Sequence, residues 1–106
     1  MRILKLVIIF IYLNSLKQLY AADVEISGTQ TTREDLQASS TLTISGTLDG
    51  DLNNIVRGYI AAGNEIDNAT VVVESNGVIQ GKSNAIMGRE TSGLTVTNSG
   101  TIEATS

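Results

Sequence analysis

VVVESNGVIQG, residues 71–81, is repeated in altered form as LTVTNSGTIEA, residues 94–104. The two stretches begin 23 residues apart, and aligning them places Gly100 on Gly77. A third, shorter copy, LTISGTLDG, occupies residues 42–50. Repeats with a period of about 20–50 residues are typical of solenoid proteins, in which successive units stack on one another. The repeats therefore predict a solenoid fold for this chain.

Apolar and polar residues alternate within each copy, with the period of two that indicates a half-buried strand. Each copy contains a strand, a corner of polar residues with glycine, and a second short strand. The side chains that this alternation predicts to point inward are Leu42, Ile44, Leu48, Val71, Val73, Ile79, Leu94, Val96 and Ile102. Val72 is the one apolar side chain placed outside, either as part of a contact surface or as a residue that favours strands.

The stretch between the two clearest copies completes the repeat. Residues 82–88 (KSNAIMG) supply a further apolar cluster, so one period holds three short strands separated by turns. A single unit has too few inward side chains to offset the entropy of ordering it, whereas stacking buries aliphatic residues on aliphatic residues. The sequence therefore predicts an all-β fold, a parallel β-helix or solenoid of about three rungs over residues 42–106.

The segment before the repeats is mostly polar. VEISGT, residues 24–29, resembles the strand and corner of the repeats. The polar residues 30–41 are interpreted as a loop, with a helical turn around residues 34–38 as the alternative. Residues 23–41 are therefore predicted to form an N-terminal strand and a polar loop.

Residues 51–70 fit two interpretations. One face of a short helix would contain Ile55, Val56, Tyr59 and Ile60. The same residues fit a further strand, with Gly58 and Gly63 as corners. We favour strands and loops in this segment.

The first 22 residues differ from the rest of the chain. Arg2 and Lys5 precede the unbroken apolar run LVIIFIYL, residues 6–13, and two alanines come before the acidic Asp23. This order is typical of a secretory signal peptide, residues 1–22, with cleavage predicted after the second alanine. The run alone is too short to cross a bilayer, which takes about 20 apolar residues. The alternative is a membrane anchor extended through Leu16 and Leu19, and the polar residues Asn14, Lys17 and Gln18 count against it.

Charge and composition exclude several functions. Removal of residues 1–22 would leave 4 basic and 11 acidic residues, a net charge of −7. Such a chain is repelled by nucleic acids and by anionic lipid surfaces, so we expect neither as a partner.

The sequence has no cysteine and no histidine. Export without disulfides favours a bacterial envelope protein, and the lack of histidine excludes a Ser-His-Asp triad.

The repeats resemble those of a known family. LTVTNSGTIEA (94–104) resembles the repeat of autotransporter passenger domains from Gram-negative bacteria: a hydrophobic strand, then Asn-Ser-Gly-Thr-Ile and a small residue. VVVESNGVIQG (71–81) followed by SNAIMG (83–88) resembles the same unit with its connecting strand. The resemblance covers residues 42–104, the leader fits it, and other β-helical exoproteins such as haemagglutinin-like adhesins share the pattern. It implies a right-handed parallel β-helix, exported to the periplasm and displayed on the outer membrane or released from the cell.

The sequence departs from that family in one respect. Autotransporters end in a β-barrel translocator, read as segments of roughly ten residues with alternating polarity, and no such segments occur before Ser106. We therefore expect a fragment of a passenger, whose partners would be its own C-terminal barrel and molecules on a host or neighbouring cell. If this chain is instead a separate protein, we expect it to be located in the periplasm.

Acidic residues near the first repeat are the strongest candidates for chemistry. Asp49, Asp51 and Asn53 follow the spacing that opens a calcium loop, but Asn54 replaces the glycine of its sixth position and Ile60 replaces its closing glutamate. The two aspartates are also candidates for the carboxylate pair of a glycosidase. We interpret the segment as a solvated turn. No catalytic, cofactor-binding or metal-binding residue is therefore assigned, and no cofactor, small-molecule substrate or enzymatic activity is predicted.

Adhesion or another cell-surface interaction is the function that these patterns predict. Flat faces of threonine, serine and asparagine offer many weak polar contacts. Tyr59 is the one aromatic residue after the leader, so a carbohydrate-binding module built on several stacking rings is not expected. The alternatives are a fragment of a β-helical polysaccharide-degrading enzyme, whose site would lie in parts that this sequence lacks, and a stand-alone periplasmic protein.

The isolated repeats are expected to be marginally stable, because a short stack with both ends open lacks the polar capping units that solenoids need. Residues 23–106 alone should lose their far-UV circular dichroism without a sharp transition on heating, or aggregate. A cooperative melt above about 50 °C, in the ordinary range for single domains, would contradict this expectation.

Overall fold

The described part of the chain consists of β-strands, turns and bends. The structure, a computed structural model, describes residues 23–58, 66–89 and 91–105. The predicted signal peptide and Tyr59 lie outside the described residues. The strands in the described residues are β1 Val24–Ile26, β2 Thr29–Gln30, β3 Glu34–Asp35, β4 Thr41–Ile44, β5 Thr47–Asn53, β6 Val56–Arg57, β7 Ile66–Asp67, β8 Thr70–Val73, β9 Val78–Lys82, β10 Ile86–Met87, β11 Thr91–Ser92, β12 Thr95–Asn98 and β13 Thr101–Thr105.

The chain visits its sheets in a repeating order. Sheet A contains β1, β4, β8 and β12; sheet B contains β2, β5, β9 and β13; sheet C contains β3, β6 and β10; and sheet D contains β7 and β11. Every pair is parallel and joins a strand to its counterpart one circuit later. We call each circuit a pass: β1–β3, β4–β7, β8–β11 and β12–β13. The prediction of an all-β fold with parallel strands is confirmed for the described residues.

One hydrophobic cluster joins all of the sheets. It contains the buried residues Ile26, Leu36, Leu42, Ile44, Leu48, Ile55, Val56, Ile66, Ala69, Val71, Val73, Ile79 and Ala85. All six side chains predicted to point inward from the second and third passes are therefore in the core. Leu94 and Ile102 of the fourth pass are partly buried against it. Val96 is exposed, because no described strand lies beyond β12.

The sequence alignment of the last two copies predicts the strand register correctly in sheet B and wrongly in sheet A. In sheet B, Ile102 pairs with Ile79, as aligned. In sheet A, Val96 pairs with Val71, two residues away from its aligned partner. Leu94, aligned with Val71 in the sequence, precedes β12. The offset between equivalent residues therefore changes within one pass.

Corner length explains this change of offset. Residues 74–77 separate β8 from β9, whereas two residues form the equivalent corners, 45–46 and 99–100. An alignment without gaps imposes a single offset, so it misplaces the strand before the longer corner. Gly77 closes that corner against the second pass, where a Cβ atom would overlap the carbonyl oxygen of Ile44. Glycine is required there by the close approach of two backbones.

The polar segment after β2 also belongs to the stack. Residues 30–41, interpreted above as a loop or a helical turn, contain β3, which pairs with β6 of the second pass. The Asp35 carboxylate accepts a hydrogen bond of 2.9 Å from Nε of Arg57, its direct cross-strand neighbour. Leu36 then enters the core. The first pass was missed in part because a single inward aliphatic residue produces no periodic pattern.

Strands also form in the described part of residues 51–70, so the helix alternative is wrong there. Asp51 to Asn53 belong to the end of β5, and β6 and β7 follow. Ile55 and Val56 are both fully buried, although they are adjacent in sequence. They lie where the chain turns from sheet B into sheet C, and at such a corner neighbouring side chains need not point to opposite sides.

Left-handed backbone conformations occur at stacked corners. Ser39, Asn68 and Gly93 have φ angles of 56°, 57° and 70°, and each lies two residues before a strand of sheet A. Asn54 and Ser83, with φ angles of 58° and 60°, occupy a second corner, after β5 and β9. Glycine and asparagine tolerate this conformation better than other residues. Three of these five residues are glycine or asparagine, the other two are serine, and none is β-branched.

Replacement of Asn68 tests this constraint, since its side chain is exposed. Asn68→Val should lower the free energy of unfolding by about 1–2 kcal/mol, because a β-branched residue is strained at positive φ. Asn68→Gly, the control, should leave the free energy unchanged or raise it slightly. Far-UV circular dichroism of the full chain in increasing urea compares the two, and Asn68→Val should lose its signal at a lower urea concentration than Asn68→Gly. Equal stability of the two variants would show that the corner does not impose its backbone conformation.

Candidate interaction face

The outward side chains of sheet A form a face rich in threonine. Alternate residues of β4, β8 and β12 enter the core or point toward it, so the residues between them point away from it. We call these outward residues the threonine face: Thr41, Thr43, Thr70, Val72, Thr95 and Thr97. All six are half-buried or exposed.

Register makes this face regular. Thr41, Thr70 and Thr95 are direct neighbours on successive strands, and Thr43, Val72 and Thr97 form a second row. Adjacent strands lie about 4.8 Å apart, and alternate residues of one strand lie roughly 6.6 Å apart. The threonine face is thus a grid of hydroxyl and methyl groups held by the backbone ladder.

The hydroxyl groups of the threonine face are available for contacts. Within the part of the chain that the structure describes, the side chains of its five threonines make no hydrogen bond to other protein groups. The face itself carries no charge, and Glu25 of β1 lies beside Thr43 at its edge. Such a surface suits a neutral, polar partner that forms many weak hydrogen bonds, each contributing about 0.5–1.5 kcal/mol.

Part of the threonine face is predictable from the alternation of the sequence. Thr43, Val72, Thr95 and Thr97 are outward, as the alternation predicts, and Val72 is half-buried between threonines. Thr41 and Thr70 were missed because each stands one residue before the repeat as it was delimited. The signal was present in the sequence, where a threonine precedes the first inward aliphatic residue of each of the three strands.

The predicted candidates for chemistry lie elsewhere, on β5. Asp49 pairs with Gln80 and Asn53 with Lys82, so β5 carries extra residues opposite β9 and forms a bulge. This segment is a strand with a bulge, and the predicted turn is wrong. Both aspartates are exposed.

Basic side chains contact the bulge. A carboxylate oxygen of Asp51 lies 3.7 Å from Nζ of Lys82, an exposed pair that contributes little to stability. The backbone carbonyl of Asn53 accepts a hydrogen bond of 2.7 Å from the Arg33 guanidinium. Among the described residues, no group of three or more acidic side chains is placed to hold a metal ion.

A small cavity lies beside β1, β3 and β4. Val24, Leu36 and Leu42 contribute to its lining, and its volume is about 10 Å³. A cavity of about 10–15 Å³ holds one water molecule. The cavity therefore has room for about one water molecule and none for a sugar or a peptide side chain.

No protein-family model, curated protein or solved structure matches this chain. In the described ranges, no helix has the length and apolar character needed to cross a bilayer.

Proposed function

We propose that this chain is a non-catalytic segment of an exported passenger of the autotransporter type, and that it acts in adhesion. Its passes are the rungs of a right-handed parallel β-helix. The repeated order of sheets A to D and the parallel, in-register pairing of the strands support this architecture. The leader-like residues 1–22 and the Asn-Ser-Gly-Thr-Ile repeat support export and the family.

The threonine face is the observation that carries the adhesive role. A surface of neutral hydroxyl and methyl groups binds through many weak contacts in parallel, and its affinity grows with the number of rungs presented. The partner is a neutral polar surface on a host or neighbouring cell, with glycan hydroxyl groups as the matching chemistry. Catalysis is not required, because function consists of display and binding.

The fold holds the side chains of the threonine face in fixed positions. Each threonine of the face alternates with an inward residue such as Leu42 or Val71, which is buried in the core. The backbone of each central strand is paired on both sides. The side chains are thus ordered before a partner arrives, which lowers the entropy cost of binding.

A charge placed on the threonine face tests this proposal. Beads coated with the exported full chain should bind cultured epithelial cells, and Thr97→Lys should weaken binding roughly fivefold, corresponding to about 1 kcal/mol. Ser92→Lys is the matched control, because Ser92 is exposed on β11 of sheet D. It should bind as the unaltered chain does. Enzymatic removal of cell-surface glycans should abolish binding.

Two results would overturn the adhesive role. One is equal loss of binding in Thr97→Lys and Ser92→Lys, which would indicate non-specific charge effects. The other is no binding of the unaltered chain to any cell type while its circular dichroism shows a folded β-protein.

A further inference from the structure

The threonine face is an array with fixed spacings in two directions. Its two rows cross β4, β8 and β12 in register. Neighbours within a row lie about 4.8 Å apart, and the two rows are separated by roughly 6.6 Å. A partner that matches the whole array must itself repeat with similar distances in two directions.

Ice is a polar solid with such distances. Each oxygen atom of ice is hydrogen-bonded to four others in a tetrahedral arrangement, at about 2.7–2.8 Å. This bond length places second-neighbour oxygen atoms about 4.5 Å apart, and it gives a repeat of about 7.3 Å along the hexagonal axis. A prism face of the crystal contains both directions, so its oxygen atoms form an array close to that of the threonine face.

The remaining difference between the two arrays is small. It amounts to about 0.6 Å over the two intervals from β4 to β12, and to about 0.7 Å between the rows. Shared among the side chains, this is a few tenths of an ångström at each one. A staggered side chain accommodates such a shift by a modest rotation about χ1, at little cost in energy.

The chemistry of the threonine face also suits ice. Growing ice rejects dissolved ions, and the face carries no charged side chain. In the described residues, its threonine hydroxyl groups form no hydrogen bond to other protein groups. A hydroxyl group donates one hydrogen bond and accepts up to two, so it can take the place of a water molecule in the lattice.

Two carboxylates border the threonine face, and both have protein partners. Oε1 of Glu25 accepts a hydrogen bond of 3.2 Å from Oγ of Ser45, at the corner between sheets A and B. Oδ1 of Asp23 accepts a hydrogen bond of 2.9 Å from the backbone N–H of Thr41. Both carboxylates are thus engaged at the edge of the face, outside its two rows.

Sheet B provides an internal comparison. One of its outward rows is also rich in threonine and consists of Thr29, Thr47, Val78 and Thr101. The adjacent outward row carries the exposed carboxylates of Asp49 and Glu103. A crystal face would meet charge on this side of the molecule, so sheet A is the better match.

We propose that the threonine face binds ice, with its two rows lying along a prism face of the crystal. The backbone ladder holds the hydroxyl groups in position before contact, which lowers the entropy cost of binding. This activity goes beyond the proposed adhesion and requires neither a cell nor a glycan. Further passes of a longer passenger would extend both rows and strengthen the contact.

Ice partitioning tests this proposal, because growing ice rejects solutes that do not bind it. An ice layer is grown slowly on a cooled probe in a stirred solution of the exported full chain. The protein concentration in the melted layer is then divided by that in the liquid. Thr97→Lys should lower this ratio roughly fivefold, because an ammonium group has no place in the lattice.

Thr101→Lys is the matched control, since it makes the same exchange at an exposed position of sheet B. Its ratio should equal that of the unaltered chain. Far-UV circular dichroism should show the same β-structure in both lysine variants, because both side chains are exposed on outer strands of the described stack.

Val72→Thr is a second variant that does not depend on a loss. It supplies a hydroxyl group at the one position of the two rows that lacks it, and should raise the ratio about twofold. The proposal is overturned if ice rejects the unaltered chain as completely as Thr97→Lys. It is also overturned if Thr101→Lys loses as much as Thr97→Lys, or if Val72→Thr is no better than the unaltered chain. Cell binding is measured separately, so either activity can fail alone.

Discussion

The parallel backbone ladder between successive passes is the constraint on which this structure depends. The strands of the second and third passes in sheets A and B have hydrogen-bonded neighbours on both sides. Because the strands pair in register, each row of side chains is either inward throughout or outward throughout. The row Val24, Leu42, Val71 and Val96 and the row Thr41, Thr70 and Thr95 are two consequences of the same pairing. The core and the candidate interaction face are therefore not independent features.

Corners limit how this ladder can be built. A chain that returns to the same sheet on each pass must turn sharply between sheets, and the turns must lie on one another. Three equivalent corners adopt left-handed φ angles, at Ser39, Asn68 and Gly93. At Gly77 the close approach of another backbone requires glycine. The cost of a non-glycine residue at positive φ is offset by the hydrogen bonds of the stacked corners, such as the 2.7 Å bond from the Asn68 N–H to the Ser92 carbonyl.

The sequence revealed those parts of the fold that are periodic. The alternation in residues 71–81 and 94–104 identified the strands, and all six predicted inward residues of the second and third passes are buried. Register was recovered only in sheet B, because the two additional residues of the corner 74–77 displace the preceding strand without changing its pattern. Strand β3 was missed because its residues are both charged and obtain their place from pairing with β6. Four of the six residues of the threonine face followed from alternation, whereas Thr41 and Thr70 required the true strand ends.

The ladder that stabilises the interior also determines what the ends of the stack can do. An inner strand such as β8 satisfies its backbone groups with neighbours of the same chain, but β1 and β12 do so on one side only among the described residues. Proteins commonly protect such edges with proline, bulges or inward charges. Here the protection is uneven: β5, an inner strand, carries the bulge at Asp51, while the outer strands β1 and β12 end the row of aliphatic residues with exposed valines. A fold that arises from in-register repetition thus reproduces, at each end, the surface that its own next pass would occupy.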